Sequence, residues 1–139
     1  MIWGIQWDET LKWLIDTGEK TYAEIASDST SWGNYKNNSF TYYTNTSKST
    51  ATKESGSWQS SIIPSGAYEG ANANNVFDLA GNVWDWTLES YGSGTDDCRC
   101  YRGGVYNGYG YDFPAENLGT GYPSSSINVF GLRCTLYIK

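Results

Sequence analysis

Between residues 92 and 121 the chain places glycine at eight positions: Gly92, Gly94, Gly103, Gly104, Gly108, Gly110, Gly119 and Gly121. Glycine weakens helix and strand interiors and is favoured where the backbone must turn through conformations closed to other residues. A half-chain punctuated this way does not build a helical bundle. It calls for short strands joined by long ordered loops. The chain has 139 residues, a length that suits one compact domain, and we read 1–139 as a single unit. The expected class is α+β, loop-rich and weakly helical.

Composition removes several functions. The chain has no histidine, so histidine acid–base chemistry, a Ser-His-Asp triad and a histidine metal site are excluded. The net charge is -6, with three Arg and six scattered Lys, which argues against nucleic acid as the main partner. No apolar run approaches the roughly 18 residues of a membrane span. The start, Met1-Ile2-Trp3-Gly4, carries neither the basic nor the long apolar region of a signal peptide. Either export does not use one, or the natural N-terminus lies further upstream. Cys98, Cys100 and Cys134 are an odd set. A bridge from Cys98 or Cys100 to Cys134 is open, buried or incidental thiols are favoured, and three ligands fall short of the usual four of structural zinc.

Along the chain, Asp8 reads as an N-cap for a helix over Glu9–Asp16, with Leu11, Leu14 and Ile15 as its apolar stripe, Trp7 packing against it and Gly18 as its stop. A second helical turn is expected over Tyr22–Ile25. The stretch from Ser27 to Ser61 is polar with isolated aromatics. We expect a solvated excursion there, with a strand over residues 40–44. Further strands are expected at Asn75–Phe77, Gly81–Thr87, Cys100–Tyr106 and Phe130–Ile138.

The most informative segment is Asn75-Val76-Phe77-Asp78-Leu79-Ala80-Gly81-Asn82-Val83-Trp84-Asp85-Trp86-Thr87. In a strand over Gly81–Thr87, Trp84 and Trp86 share one face as core anchors, and Asp85 takes the other with Val83. The carbonyls of Gly81 and Val83 then point one way. With Asp78 across a turn, two carboxylates and two carbonyls can converge, a hard-oxygen set of the kind calcium takes. The plainer alternative is that Asp78 caps a turn and Asp85 is solvated.

This segment resembles the signature N-x-[YF]-D-[ML]-x-G-N-V-W-[ED]-W-[TC] of formylglycine-generating, or sulfatase-modifying factor, domains. Arg102-Gly103-Gly104-Val105-Tyr106 is similar to that family's R-G-G-S-[WY], Gly131-Leu132-Arg133 to its closing G-F-R, and Ser31-Trp32-Gly33-Asn34 to its P-W-G-N. The resemblance runs from about Trp7 to Tyr137. It implies a C-type lectin-like fold with two helices and a small twisted antiparallel sheet. It also implies a structural calcium on the side chains of Asp78 and Asp85 and the carbonyls of Gly81 and Val83. A second family calcium site has no matching acidic ligand here, because Lys53-Glu54-Ser55-Gly56-Ser57-Trp58 lacks the expected Asp-Gly. The family domain usually has a first strand and helix ahead of Trp7. This chain has six residues there, so a reduced fold, a missing segment or a completing partner chain is expected.

The family's enzymes hold copper on two cysteines shortly after the R-G-G block, and related members hold iron on histidines. Here that region reads Asn107-Gly108-Tyr109-Gly110-Tyr111-Asp112-Phe113, without cysteine or histidine. A thiolate has no substitute in Asn or Tyr for soft Cu(I). We therefore expect neither copper nor iron, and a domain that is not an enzyme. Tyr, Asn, Ser and Gly crowd residues 106–128, a composition that gives adhesive, adaptable contact surfaces. The same loops could instead be ordinary ones whose tyrosines pad the core. The pattern also resembles the variable proteins of diversity-generating retroelements, which implies display of a ligand-binding surface. The expected contacts are Tyr106, Asn107, Tyr109, Tyr111, Asp112, Asn117 and Tyr122, and the expected ligands are protein or carbohydrate. The setting that follows is a cell surface, a secreted protein or a phage particle. The alternatives are a divergent enzyme, with a concave pocket near Asp112 and Glu116, and a purely structural module of a surface or phage assembly.

Overall fold

The computed structural model describes residues 1–56, 61–92, 98–124 and 127–134. Two helices come first, α1 (Gly4–Asp16) and α2 (Tyr22–Ala26). The strands described after them are β1 (Phe40–Tyr43), β2 (Thr50–Lys53), β3 (Asn72–Ala73), β4 (Val76–Phe77), β5 (Trp84–Ser90), β6 (Arg99–Arg102), β7 (Leu118–Gly121) and β8 (Phe130–Leu132). β1 pairs with β2 and β3 with β4, and the rest form one sheet in the order β7-β6-β5-β8. The expected α+β, loop-rich class is what is found. The main sheet departs from the expectation in being mixed, because β8 runs parallel to β5. Among the described residues no helix is long and apolar enough to cross a membrane.

α1 starts a turn earlier than Asp8. The Gln6 side chain accepts the Trp3 amide at 2.8 Å, satisfying a donor that the first turn leaves open. Asp8 is therefore not the cap; its carboxylate faces Arg102 at 3.2 Å. The expected stripe holds: Leu11 and Leu14 are buried, Ile15 packs partly, and Trp7 is fully covered. Gly18 closes the helix at φ 75°, where a side chain would be strained. Thr21 and Glu24 cap α2 reciprocally, side chain to amide in both directions.

The polar excursion is folded rather than simply solvated. β1 and β2 make a hairpin in which Phe40 opposes Lys53. Phe40, Ile63 and Ala67 form a small core of their own, with Tyr68 stacked on Phe40 at 3.9 Å. The β3–β4 hairpin turns through Asn74 and Asn75, at φ 53° and 66°, the left-handed pair that asparagine tolerates best after glycine.

The principal core lies between α1, α2 and the signature segment. It comprises Ile2, Trp7, Leu11, Leu14, Ile25, Trp32, Tyr35, Ala73, Leu79, Ala80 and Ala115. Its buried donors are matched: Trp7 Nε1 donates to the Ala115 carbonyl at 3.0 Å, and the single Tyr35 hydroxyl proton is shared between the carbonyls of Phe113 at 2.8 Å and Gly103 at 3.1 Å. Burial pushes the Tyr35 phenol well above its ordinary value.

Two strand expectations change. The strand over Gly81–Thr87 begins only at Trp84, because Gly81 and Asn82 sit at φ 70° and 64°. The strand over Cys100–Tyr106 ends at Arg102, where Gly103 and Gly104 turn at φ 95° and 83°. β8 covers Phe130–Leu132, and residues 135–138 of the expected strand lie outside the described residues.

Candidate functional site: an aromatic sheet face and a pinned loop

β5 separates two environments. Trp84 and Trp86 do share a face, as expected, but it is not the face of the principal core. They meet Tyr101 of β6 edge-on at 4.9 and 5.3 Å, and Trp86 stacks on Phe130 of β8 at 4.6 Å. Trp84 is buried, whereas Trp86, Tyr101 and Phe130 are half-buried. The cluster stays open because β7 contributes Gly119 and Gly121 on this face. A Cβ at Gly121 would lie 3.3 Å from the Trp86 ring, and one at Gly119 would run into the Tyr101 ring. The rings lie across the glycines instead of being covered by side chains. This platform was missed in the sequence; the Leu-Gly-Thr-Gly of β7 was its signal.

Phe113 meets Trp84 edge-on at 5.5 Å and joins the platform to the loop between β6 and β7. The backbone of that loop is fastened to the body of the domain. Lys36 and Ser29 donate their amides to the carbonyls of Gly108 and Gly110, at 2.8 and 3.2 Å. Gly110 donates to Asn37 Oδ1 at 3.1 Å, Tyr106 to the Asn82 carbonyl at 3.0 Å, and Ala115 to Ser29 Oγ at 2.9 Å. Within it, Asp112 and Phe113 donate to the Tyr109 carbonyl.

Val105, Pro114 and Ala115 of this loop are buried, and the side chains from 106 to 112 turn outward. Asn107, Tyr109, Tyr111 and Asp112 are exposed and Tyr106 is half-buried. Tyr109 and Tyr111 stack in parallel, 5.3 Å apart at 13°, with the Lys36 ammonium 5.5 Å from the Tyr109 ring centre. Six of the seven expected contact residues, Asn117 included, are thus on one loop, and Tyr122 follows β7. Asn117 is half-buried, its amide held by the Pro114 carbonyl, and Tyr122 is exposed.

The other face of β5 is polar. Asp85 and Thr87 are buried, and Thr87 Oγ1 donates to the Cys100 carbonyl at 3.1 Å. Arg102 is buried between Asp8 and Glu89, both 3.2 Å away, and donates to the Glu116 carbonyl. Arg133 reaches Asp85 Oδ2 through Nε at 2.6 Å, donates to the backbone carbonyl of Asp78, and lies 5.6 Å from the Trp7 ring centre. Burial pushes the Asp85 carboxyl up, Arg133 pulls it down, and Asp78 adds to the rise.

The calcium reading meets difficulties in this arrangement. Its premise, an extended chain aligning the carbonyls of Gly81 and Val83, fails at the two left-handed residues. Asp78 is buried, and its Oδ2 accepts from Ser65 Oγ at 2.7 Å and the Gly66 amide at 2.9 Å. Its Oδ1 is buried without a partner, as is Oδ1 of Asn34, which bonds Asn82 through its Nδ2. Calcium takes six to eight oxygens, yet a guanidinium already lies against Asp85 and the Asp78 carbonyl. Among the described residues no three Asp, Glu, Cys or His gather around a point. The residues present do not fit the ion. The thiols are likewise dispersed: Cys100 is buried, raised by that burial, while Cys98 is half-buried and Cys134 exposed. The described cysteines are free.

A hollow of about 340 Å³ beside α1 is lined by Asp8, Lys12, Asp16, Ile25 and Glu116. Glu116 lines that hollow, and Asp112, which the sequence placed beside it near a pocket, lies in the exposed loop outside the lining.

No curated protein and no solved structure gives a match to this chain. The family model described as the sulfatase-modifying factor enzyme 1-like domain matches residues 9–138, from α1 to beyond β8. That range takes in all of the principal core but Ile2 and Trp7, with the signature turn and the pinned loop, and the chain belongs to the sulfatase-modifying factor enzyme 1-like domain family.

Proposed function

We propose that this domain is a non-catalytic binding module on a C-type lectin-like framework, presenting the loop between β6 and β7 and the adjoining aromatic face to a ligand. The observation that carries the reading is the division of labour within the loop. Its backbone is hydrogen-bonded to Ser29, Lys36, Asn37 and Asn82, while Asn107, Tyr109, Tyr111 and Asp112 face solvent. Rigid backbone with exposed tyrosine binds at low entropic cost, because little is left to order on association. The half-open rings of Trp86, Tyr101 and Phe130 extend the same surface, and aromatic faces of this kind suit sugar rings and apolar protein side chains alike. Carbohydrate and protein remain the two ligand classes. The variable protein of a diversity-generating retroelement, on a cell surface, a secreted protein or a phage particle, is the biological setting we favour. The lack of histidine anywhere, and of cysteine between residues 103 and 122, supports binding over the redox chemistry of the enzymes this family resembles.

The test is a panel of glycans and surface proteins probed with wild type and with Tyr109→Ala/Tyr111→Ala. A ligand of the wild type should bind the double variant at least about tenfold more weakly, since aromatic anchors carry most of an interface's energy. Equal binding by both proteins would defeat the loop assignment.

A further inference from the structure

The resemblance assigns a calcium ion to the turn at Asp78–Asp85, and the residues there are arranged around something else. We propose that Arg133 is the built-in cation of this turn and that the domain needs no divalent ion there. Asp85 is buried, and a buried carboxylate is stable only if paired. Its partner is Arg133 Nε at 2.6 Å, and a second guanidinium nitrogen donates to the Asp78 carbonyl. One planar group therefore bridges the two ends of the signature turn, the linkage a metal would otherwise supply. A guanidinium suits this bridging, since its donors are fixed in one plane.

The fold is built to deliver it. β8 lies parallel to β5 with Gly131 opposite Asp85. A Cβ on Gly131 would come 2.8 Å from Val83 Cγ2, so glycine lets β8 approach without displacing the Val83 side chain. On its far side the guanidinium carbon lies 5.6 Å from the Trp7 ring centre, within the range of cation–π attraction. A calcium ion at the same carboxylate would face this fixed positive charge and would have to displace it.

The experiment is thermal unfolding of the full chain with chelator and with millimolar calcium, for wild type, Asp85→Asn, Arg133→Met and Asp85→Asn/Arg133→Met. Wild-type Tm should be the same in chelator and in calcium. Arg133→Met should lose roughly 10 °C, the effect of stranding a buried carboxylate. The double variant should recover much of that loss, because the charge that needed a partner is gone. Should Arg133→Met fail to fold, the wild-type comparison and the folding of the double variant decide the matter. A wild-type Tm that rises with calcium, in a manner abolished by Asp85→Asn, would overturn the proposal. So would an Arg133→Met Tm equal to the wild type's.

Discussion

Lys53 is the sharpest test of the internal electrostatics. It ends β2, is 7% exposed, and has no carboxylate partner among the described residues. Its ammonium donates to the backbone carbonyls of Tyr35 and, at 3.2 Å, Asn38, and lies 5.1 Å from the Phe40 ring centre. Desolvation lowers its pKa from 10.5 to about 8. In that window the unfolded chain binds a proton that the folded chain does not. Stability attributable to Lys53 therefore rises with pH from about 8 to 10.5, is complete above the unfolded value, and is lost as pH falls through about 8. At about 1.4 kcal/mol per pH unit the interval corresponds to roughly 3 kcal/mol. The carbonyl acceptors favour the charged form and reduce this, so about 2 kcal/mol is expected. Cys100 and Tyr35, both raised by burial, tilt stability the other way above pH 9 to 10, and they must be removed by comparison. The comparison is Lys53→Met, which cannot titrate. Urea unfolding at steps from pH 7.5 to 9.5 should show the wild type gaining on Lys53→Met as pH rises, even though the variant is less stable throughout for want of the two hydrogen bonds. Identical pH slopes for the two proteins would refute the reasoning.

Two further substitutions probe the turns that set the site. Asn82→Ala should cost about 3 kcal/mol in urea unfolding, since Asn82 holds both the amide and the carbonyl of Ile63 and receives Asn34 Nδ2, all buried. Gly104→Ala should cost at least about 2 kcal/mol, because φ is 83° and the added Cβ would lie 2.7 Å from Tyr35 Oη and closer still to the Phe113 carbonyl; it should also weaken ligand binding by shifting the pinned loop.

The sequence told most where a local rule and the tertiary fold agree. The stripe of Leu11, Leu14 and Ile15 ended by Gly18 is an example, since helix period and glycine stop need no distant partner. Family likeness was legible in the signature segment for a similar reason, its Asn75, Asp78, Gly81 and Asn82 all standing at left-handed backbone angles that favour glycine, asparagine and aspartate. What escaped depends on partners far along the chain. Asp8 looks like a cap until Arg102 is brought beside it. β7 carries little strand propensity of its own, and its glycines make sense only beneath the rings of Tyr101 and Trp86. Spacing sets the Asp78 and Asp85 carboxylates toward one point, whereas the Asp78 carboxylate is held by Ser65 and Gly66 and Asp85 is met by Arg133 from just past β8, which no spacing within the signature announces. The paired tyrosines were chosen on composition alone, and composition could not say whether they pad a core or stand outside one.

That last question separates display from ordinary packing. The principal core draws on Trp7, Trp32, Tyr35, Leu79 and their neighbours and contains none of Asn107, Tyr109, Tyr111 or Asp112. The loop's conformation is set by backbone hydrogen bonds to Ser29, Lys36 and Asn37, which survive any change of side chain at those positions. Stability and recognition are thus carried by different atoms. In Tyr109→Ala/Tyr111→Ala the stacked pair and the contact with Lys36 are lost, both at the surface, and surface changes of this kind stay near 0.5 kcal/mol each. The double variant should accordingly unfold within about 1 kcal/mol of wild type while losing its ligand. Residues that padded a core would instead cost about 3 kcal/mol or more apiece on truncation. A large loss of stability in the double variant would place these rings among the structural ones and leave the surface without its proposed purpose. A small loss joined to lost binding is the behaviour of a framework free to vary what it presents.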